Sequence, residues 1–278
     1  MLITSKQMLK NAQAGGYAVA AFNVENAEMV QAVIETAEEL SAPVILQTTP
    51  GTLRYLPPAY FASLARAAAP KIPAAIHLDH GSSFELVTQC LEAGYTSVMI
   101  DGSALPYEEN IDLTKKVCAC AADYGVSVEA ELGKVGGKED DLEADAQYTD
   151  PDQAADFARR TEVDSLAVAV GTAHGVYKTT PKLELNRVPL IREKTETPIV
   201  LHGASGLSDD TIRQAVSLGI SKINFATELR IAFTQAVQAY LVENPNTIDP
   251  KKYLSTGREA VKAVVRRKIE LCGCGGKG

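Results

Sequence analysis

The sequence predicts an α/β fold, a (β/α)8 TIM barrel formed as a single domain over residues 1–278. Three observations predict it. Eight short β-branched or apolar runs recur along the chain, with helical spacing between them. Gly and Pro fall at the joins, at Gly94, Gly125, Pro198 and Gly219. No Gly-x-Gly-x-x-Gly turn follows the first run, which argues against an open, doubly wound sheet. Strands that alternate with helices pair in parallel, and eight of them close into a barrel.

The eight runs are Tyr17–Asn23, Pro43–Thr48, Ala74–Asp79, Ser97–Asp101, Val126–Leu132, Ser165–Val170, Pro198–His202 and Lys222–Phe225. Helical patterns cover Ala27–Leu40 after the first and Asp112–Asp123 after the fourth. Two stretches read as long loops. Gly133–Gln147 carries Gly136-Gly137 and an acidic run, and Gly171–Leu183 carries Gly171, Gly175 and Pro181. Loops of that length in a barrel are commonly functional. No Pro/Ser-rich linker divides the chain.

The composition suits a globular protein, with 46% apolar and 22% charged residues. A net charge of −8 argues against nucleic acid and anionic membrane as partners. Any phosphate must then meet a local site, such as backbone N–H groups at a helix start. No apolar run approaches a membrane span, and the first ten residues do not read as a signal peptide. Five Cys, an odd number, fit a cytoplasmic protein with reduced thiols. Cys118/Cys120 and Cys272/Cys274 lack the spacing of zinc ribbons.

A buried parallel strand should be apolar throughout, yet most of these runs end in a polar group. Asn23 ends the first and Asp79-His80 the third. Asp101 ends the fourth, and Glu129 and Glu131 lie in the fifth. Gly171-Thr-Ala-His174 follows the sixth, His202-Gly203 ends the seventh, and Asn224 lies in the eighth. In a barrel these positions converge on the C-terminal face, where active sites lie.

Three of the four His, namely His80, His174 and His202, lie just past the third, sixth and seventh runs. Three imidazoles with an open fourth position form the ligand set of a catalytic zinc. His77 alternates differently and is expected inside the barrel. Asp101 and Glu131 could orient the histidines, form a second metal position, or close the rim as a hydrogen-bonded pair. The run Gly203-Ala204-Ser205-Gly206 leads toward a helix after Ser208, and Asn224-Phe225-Ala226-Thr227 follows the eighth strand. Loops after strands seven and eight are where such barrels hold phosphate. Glu139, in an acidic run after the fifth strand, could fold over the mouth toward a substrate.

Together these residues resemble the class II fructose/tagatose-bisphosphate aldolase family over almost the whole chain. The matching segments are Gly16-Tyr-Ala-Val with Ala21-Phe-Asn23, His77-Leu-Asp-His-Gly-Ser-Ser83, Ser97-Val-Met-Ile-Asp101-Gly and Val128-Glu-Ala-Glu-Leu-Gly133. They continue with Gly136-Gly-x-Glu-Asp140, Gly171-Thr-Ala-His-Gly175, Leu201-His-Gly-Ala-Ser-Gly206 and Lys222-Ile-Asn-x-Ala-Thr-Glu228.

The resemblance implies zinc on His80, His174 and His202, with Asp79 as catalytic acid/base. It implies that Gly175, Gly203, Ser205, Asn224 and Thr227 hold the phosphate of a dihydroxyacetone-phosphate half, with Asn23 and Thr49 lining the pocket. A monovalent cation, Na+ or K+, would sit nearby, and Glu139 would be the loop carboxylate. Arg258 would reach the second phosphate of a neighbouring subunit, in a homodimer or homotetramer. A non-catalytic partner subunit is compatible with this pattern. The implied reaction is reversible aldol cleavage of tagatose 1,6-bisphosphate, fructose 1,6-bisphosphate or both, to dihydroxyacetone phosphate and glyceraldehyde 3-phosphate. His80-Gly-Ser-Ser83 resembles the fructose branch. The Asn-x-Ala-Thr-Glu-Leu motif, Asp249-Pro-x-x-Tyr-Leu254 and the Cys-Gly-Cys tail resemble the tagatose branch. The alternatives are another ketose phosphate as substrate, a non-catalytic barrel subunit, or a Schiff-base aldolase. The last is disfavoured because Lys222 begins its strand at the wrong end.

Overall fold

The computed structural model describes residues 1–139, 142–144, 148–175 and 181–278, with side chains in all of these except 137–139 and 142–144. The strands in chain order are β1 (Val19–Asn23), β2 (Val44–Thr48), β3 (Ala74–Gly81), β4 (Ser97–Ile100), β5 (Ser127–Leu132), β6 (Gly136–Glu139), β7 (Leu142–Ala144), β8 (Ser165–Val168), β9 (Ala173–His174), β10 (Ile199–Leu201) and β11 (Ile220–Phe225). All eight expected strands form, and they close in the order β1-β11-β10-β8-β5-β4-β3-β2. Each pair is parallel, and β1 seals the ring through Val19 against Lys222 and Ala20 against Val44. Every residue of these strands is buried. One face meets the barrel interior and the other meets helices, so no polar alternation survives. Across the seam Phe22 and Phe225 stack at 5.9 Å. Burying each ring contributes about 1.5–3 kcal/mol.

The helices begin where the sequence can satisfy their first N–H groups. Asn26 accepts from Met29 N at the start of α2 (Ala27–Glu39), and Ser83 from Leu86 N at the start of α5 (Phe84–Ala93). Ser208 accepts from Thr211 N before α9 (Asp209–Ser217). The helix expected at Asp112–Asp123 is longer, α6 (Tyr107–Tyr124), because Pro106 pre-sets its entry and Glu108 and Glu109 suit its first turn. The short α3 (Pro50–Tyr55) and α4 (Pro58–Ala67) follow β2, α7 (Pro151–Thr161) precedes β8, α8 (Arg187–Arg192) precedes β10, and α1 (Ser5–Gly15) lies across the N-terminal end of the barrel. There Ser5 Oγ meets Ser97 Oγ at 2.9 Å and Ser127 Oγ at 2.8 Å.

Two features depart from a plain eightfold repeat. After β11 the chain adds a pair of helices, α10 (Thr227–Glu243) and α11 (Pro250–Cys272). Lys262 and Arg266 fasten α11 to Glu39 of α2. The second departure corrects the expectation of two plain loops at the mouth. Parts of both join into a small sheet ordered β7-β6-β9, where Gly136 and Gly137 pair with Ala173 and His174. Among the described residues no helix is long and apolar enough to cross a membrane.

Candidate metal centre and active site

Asp79 and His80 are adjacent in β3, and adjacent strand residues normally face opposite sides. A bulge resolves the conflict. The β3–β4 register advances three residues on β3, from Leu78 to Gly81, against two on β4, from Val98 to Ile100. His80 takes a φ of +49°, in the left-handed region. Such strain in a non-glycine residue costs about 1–3 kcal/mol and gathers at functional sites. It brings both side chains to the mouth.

His80 meets His202 and His174 with ring centroids 4.6 and 4.9 Å away. Ligand atoms of the three histidines lie within 4.8 Å of one another, and a second group of that kind joins His80, Asp101 and Glu131. Carboxylates fix the rings. Asp101 Oδ2 lies 2.8 Å from His80 Nδ1, which turns Nε2 toward the cluster. Glu129 Oε1 lies 3.0 Å from His202 Nε2, which turns Nδ1 inward. His202 Nδ1 and Glu131 Oε2 are 3.2 Å apart and buried, and neither makes a well-formed hydrogen bond. Two such atoms beside three imidazoles fit a metal ion.

The ionisation pattern follows. Burial opposes charge on Asp101, but the hydrogen bond from His80 outweighs it and holds the carboxyl well below its usual range. Burial likewise opposes charge on Glu129, and the Lys222 ammonium beside it overrides that and holds the carboxyl well down. Burial works against a charged His202 too, yet Glu129 and Glu131 push it up to about 9. His77 is the opposite case. Burial, helped by Lys222, drops it well below the ordinary range. It donates from or accepts at Nδ1 with Ser97 Oγ at 2.8 Å, inside the barrel as expected.

Asp79 sits in a cradle of amides. Asn23 Nδ2 donates to Oδ2 at 2.9 Å, Gln47 Nε2 donates to Oδ2 at 3.2 Å, and Asn224 Nδ2 donates to Oδ1 at 2.9 Å. Gln47 also donates to Asn23 Oδ1 at 2.7 Å, so β1, β2, β3 and β11 lock one carboxylate. A carboxylate offers about four lone-pair positions, so this one keeps capacity to accept a proton.

Beside it lies a cavity of about 120 Å³ lined by Asn23, Asp79, His174, Gly175, Gly203, Ser205, Asn224, Ala226, Thr227 and Arg230. Gly203 has a φ of +65°, and a Cβ there would stand 2.7 Å from the Ala173 carbonyl oxygen. Only glycine lets the loop after β10 pass so close to β9. Ser205 Oγ accepts from Ala226 N at 3.2 Å, and Glu228 accepts from Gly206 N at 2.7 Å, tying the glycine and serine loop after β10 to the start of α10.

A family model described as "Fructose-bisphosphate aldolase class-II" matches residues 3–277. The chain belongs to the class II fructose-bisphosphate aldolase family. This aldolase is 49% identical, over 281 residues and 99% of each chain, to a protein of Klebsiella oxytoca named D-tagatose-1,6-bisphosphate aldolase subunit GatY. Among solved structures it matches the YdjI aldolase of Escherichia coli K12 with a TM-score of 0.88 and 40% identity, over 100% of this chain and 99% of that one. A putative fructose-1,6-biphosphate aldolase of Coccidioides immitis matches with a TM-score of 0.90 and 25% identity, over 98% of this chain and 96% of that one.

Most site residues expected from the sequence of the aldolase converge here, and several do not. Thr49 is buried and caps α3, accepting from Thr52 N at 3.3 Å, and it does not line the cavity. Ala204 and Phe225 are wholly buried and pack in the core beside residues that do. Arg258, on α11, pairs with Glu35 at 3.2 Å and Gln31 at 3.1 Å on α2, away from the cavity in this chain. Glu139 ends β6, and its side chain lies outside the described residues. Arg230, Gln47 and Lys222 were not expected. Arg230 lines the cavity and pairs with Glu25 at 2.6 Å. The signals were faint: one Gln inside the apolar run Val44–Thr48, and one Lys inside a buried strand.

Proposed function

We propose that this aldolase cleaves a ketose 1,6-bisphosphate with zinc as its metal, with tagatose 1,6-bisphosphate or fructose 1,6-bisphosphate as substrate. The products are dihydroxyacetone phosphate and glyceraldehyde 3-phosphate. Tagatose 1,6-bisphosphate comes first because the relative of 49% identity is named for it and aligns over 99% of both chains. One observation carries the reading. Three histidines gather beside the amide-held Asp79, and His174 and Asp79 line the small cavity between the loops that follow β10 and β11.

In this reading His80, His174 and His202 hold the zinc. Asp101 orients His80 through its 2.8 Å hydrogen bond, and Glu131 lies beside His202, so both act as orienting carboxylates. Bound zinc supplies the fixed positive charge that the electron pair left at C3 requires. Asp79 accepts the C4 hydroxyl proton as the C3–C4 bond breaks and the C4 aldehyde forms. The amides of Asn23, Gln47 and Asn224 keep its oxygens aimed while that proton moves. Gly175, Gly203, Ser205, Asn224 and Thr227 position the C1 phosphate, and this fixed placement removes orientational freedom from the step. Glu139 delivers the proton that C3 takes up. Its support is positional: β6 pairs Gly137 with His174, and Glu139 follows two residues on.

The test separates metal from chemistry. His174→Ala should lose bound zinc by metal analysis, and a full equivalent retained would sink the ligand assignment. Asp79→Ala should keep zinc and lose turnover, and a near wild-type rate would remove Asp79 from the mechanism.

A further inference from the structure

Beneath the histidines, a lysine is buried in the barrel with no part in the chemistry above. Lys222 of β11 has no exposed surface. Its Nζ lies 3.0 Å from Glu129 Oε1, 2.8 Å from Glu129 Oε2 and 3.3 Å from His77 Nε2. An ammonium has three N–H donors and no acceptor, so all three are matched. Glu129 Oε2 also accepts from Ser165 Oγ at 3.2 Å, and Oε1 meets His202 Nε2 at 3.0 Å. Replacing both members of a buried ion pair by apolar residues is often neutral or stabilising, whereas removing one member strands the other's charge, so a buried pair is weak support for a purely structural role.

The direction of each bond is fixed by Lys222. It can only donate, so Glu129 accepts from it on both oxygens. Glu129 then accepts from His202 as well, which places the His202 proton on Nε2. In the neutral imidazole that binds a metal, the remaining lone pair is then on Nδ1, on the side of Glu131, His80 and His174. We infer that Lys222 and Glu129 are positioning residues that select the metal-binding tautomer of His202. This rests on the zinc reading above.

The direction of the bonds makes an unusual demand on a substitution. In Glu129→Gln the side-chain carbonyl must turn to Lys222, because Lys222 offers only protons. The amide NH2 then faces His202 Nε2 and forces the proton onto Nδ1, the wrong tautomer for zinc. In the double variant Glu129→Gln with Lys222→Met, that constraint is gone. The amide can turn its carbonyl to His202 and restore the right tautomer.

The experiment measures zinc affinity of the full-length apo-protein by competition with a chromophoric chelator. It compares wild type, K222M, E129Q and the double variant, with the apo melting curve of each as a folding control. E129Q should bind zinc about 10–100-fold more weakly, the range typical of partners that orient metal ligands. K222M should also weaken it, and the double variant should regain part of what E129Q loses. Nitrogen-resolved histidine NMR spectra of apo E129Q, recorded at a pH where the His202 ring is neutral, should show its proton on Nδ1. If K222M does not fold, E129Q and the double variant decide the matter. Folded variants with unchanged zinc affinity, or a double variant no better than E129Q, would reduce the pair to a structural ion pair and overturn the inference. Wild-type protein that takes up no zinc would overturn the inference together with the reading beneath it.

Discussion

The two halves of the barrel mouth are built from different materials. Around the histidines, side chains hold side chains: Asp101 on His80, Glu129 on His202, Lys222 on Glu129. Around the cavity half of the wall is small residues, Gly175, Gly203, Ser205, Ala226 and Thr227, set beside Asn23, Asn224 and Arg230. The reason is chemical. A metal held by imidazoles needs their lone pairs at set angles, and partners anchored to each ring set those angles. A phosphate is a round, many-sided anion that backbone N–H groups and helix starts can hold, provided nothing bulky stands in the way. Asp79 lies between the halves, and three amides from β1, β2 and β11 hold it. Substitutions should therefore fail in different ways on the two sides.

The largest effect is expected at the junction. Asp79→Ala should lower kcat by about 10²–10⁴, the usual worth of a placed acid/base, with zinc content unchanged. Zinc lost in step with activity would show that Asp79 serves the metal side. Next comes the orienting amide. Gln47→Leu removes donors to both Asp79 and Asn23. Misplacement of a reacting group can cost about 10²-fold, so kcat should fall by about that or less, while KM changes little. An unchanged kcat would mean that Asn23 and Asn224 suffice.

Gly203→Ala tests the close packing where the halves touch. Its positive φ and its approach to Ala173 leave no room for a Cβ. Strain of about 1–3 kcal/mol should lower the melting temperature, and affinity for dihydroxyacetone phosphate should fall more than affinity for zinc. Equal loss of both would show that the two sides are one unit. The smallest effect is expected at Arg258. If it only pairs with Glu35 and Gln31, as within this chain, Arg258→Ala should cost at most about 1 kcal/mol of stability and leave KM alone. A raised KM for the bisphosphate, with kcat kept, would place it at a neighbouring subunit's second phosphate.

The barrel was legible because its signal is local. Each apolar run is short and bounded, and polar residues interrupt it at one end. His80, His174 and His202 come from three distant parts of the chain, and closure of the barrel brings them together. The hidden parts depend on distance. Lys222 and Glu129 are 93 positions apart, so neither marks the other as a partner. Gln47 looks like a flaw in β2 until Asp79 is placed beside it. The bulge between Leu78 and Gly81 has no side-chain signature, although it lets Asp79 and His80 share a face. The small sheet of β6, β7 and β9 pairs a Gly-Gly step with two residues before Gly175, a pattern that reads as loop.

The central claim is tested most directly by cleavage of tagatose and fructose 1,6-bisphosphates by the purified full-length protein, before chelation, after chelation and after zinc is returned. The expected result is cleavage that disappears with the chelator and returns with zinc, with the larger kcat/KM naming the substrate. Cleavage that persists in chelator-treated, zinc-free protein, or none of either sugar by zinc-loaded protein, would contradict it.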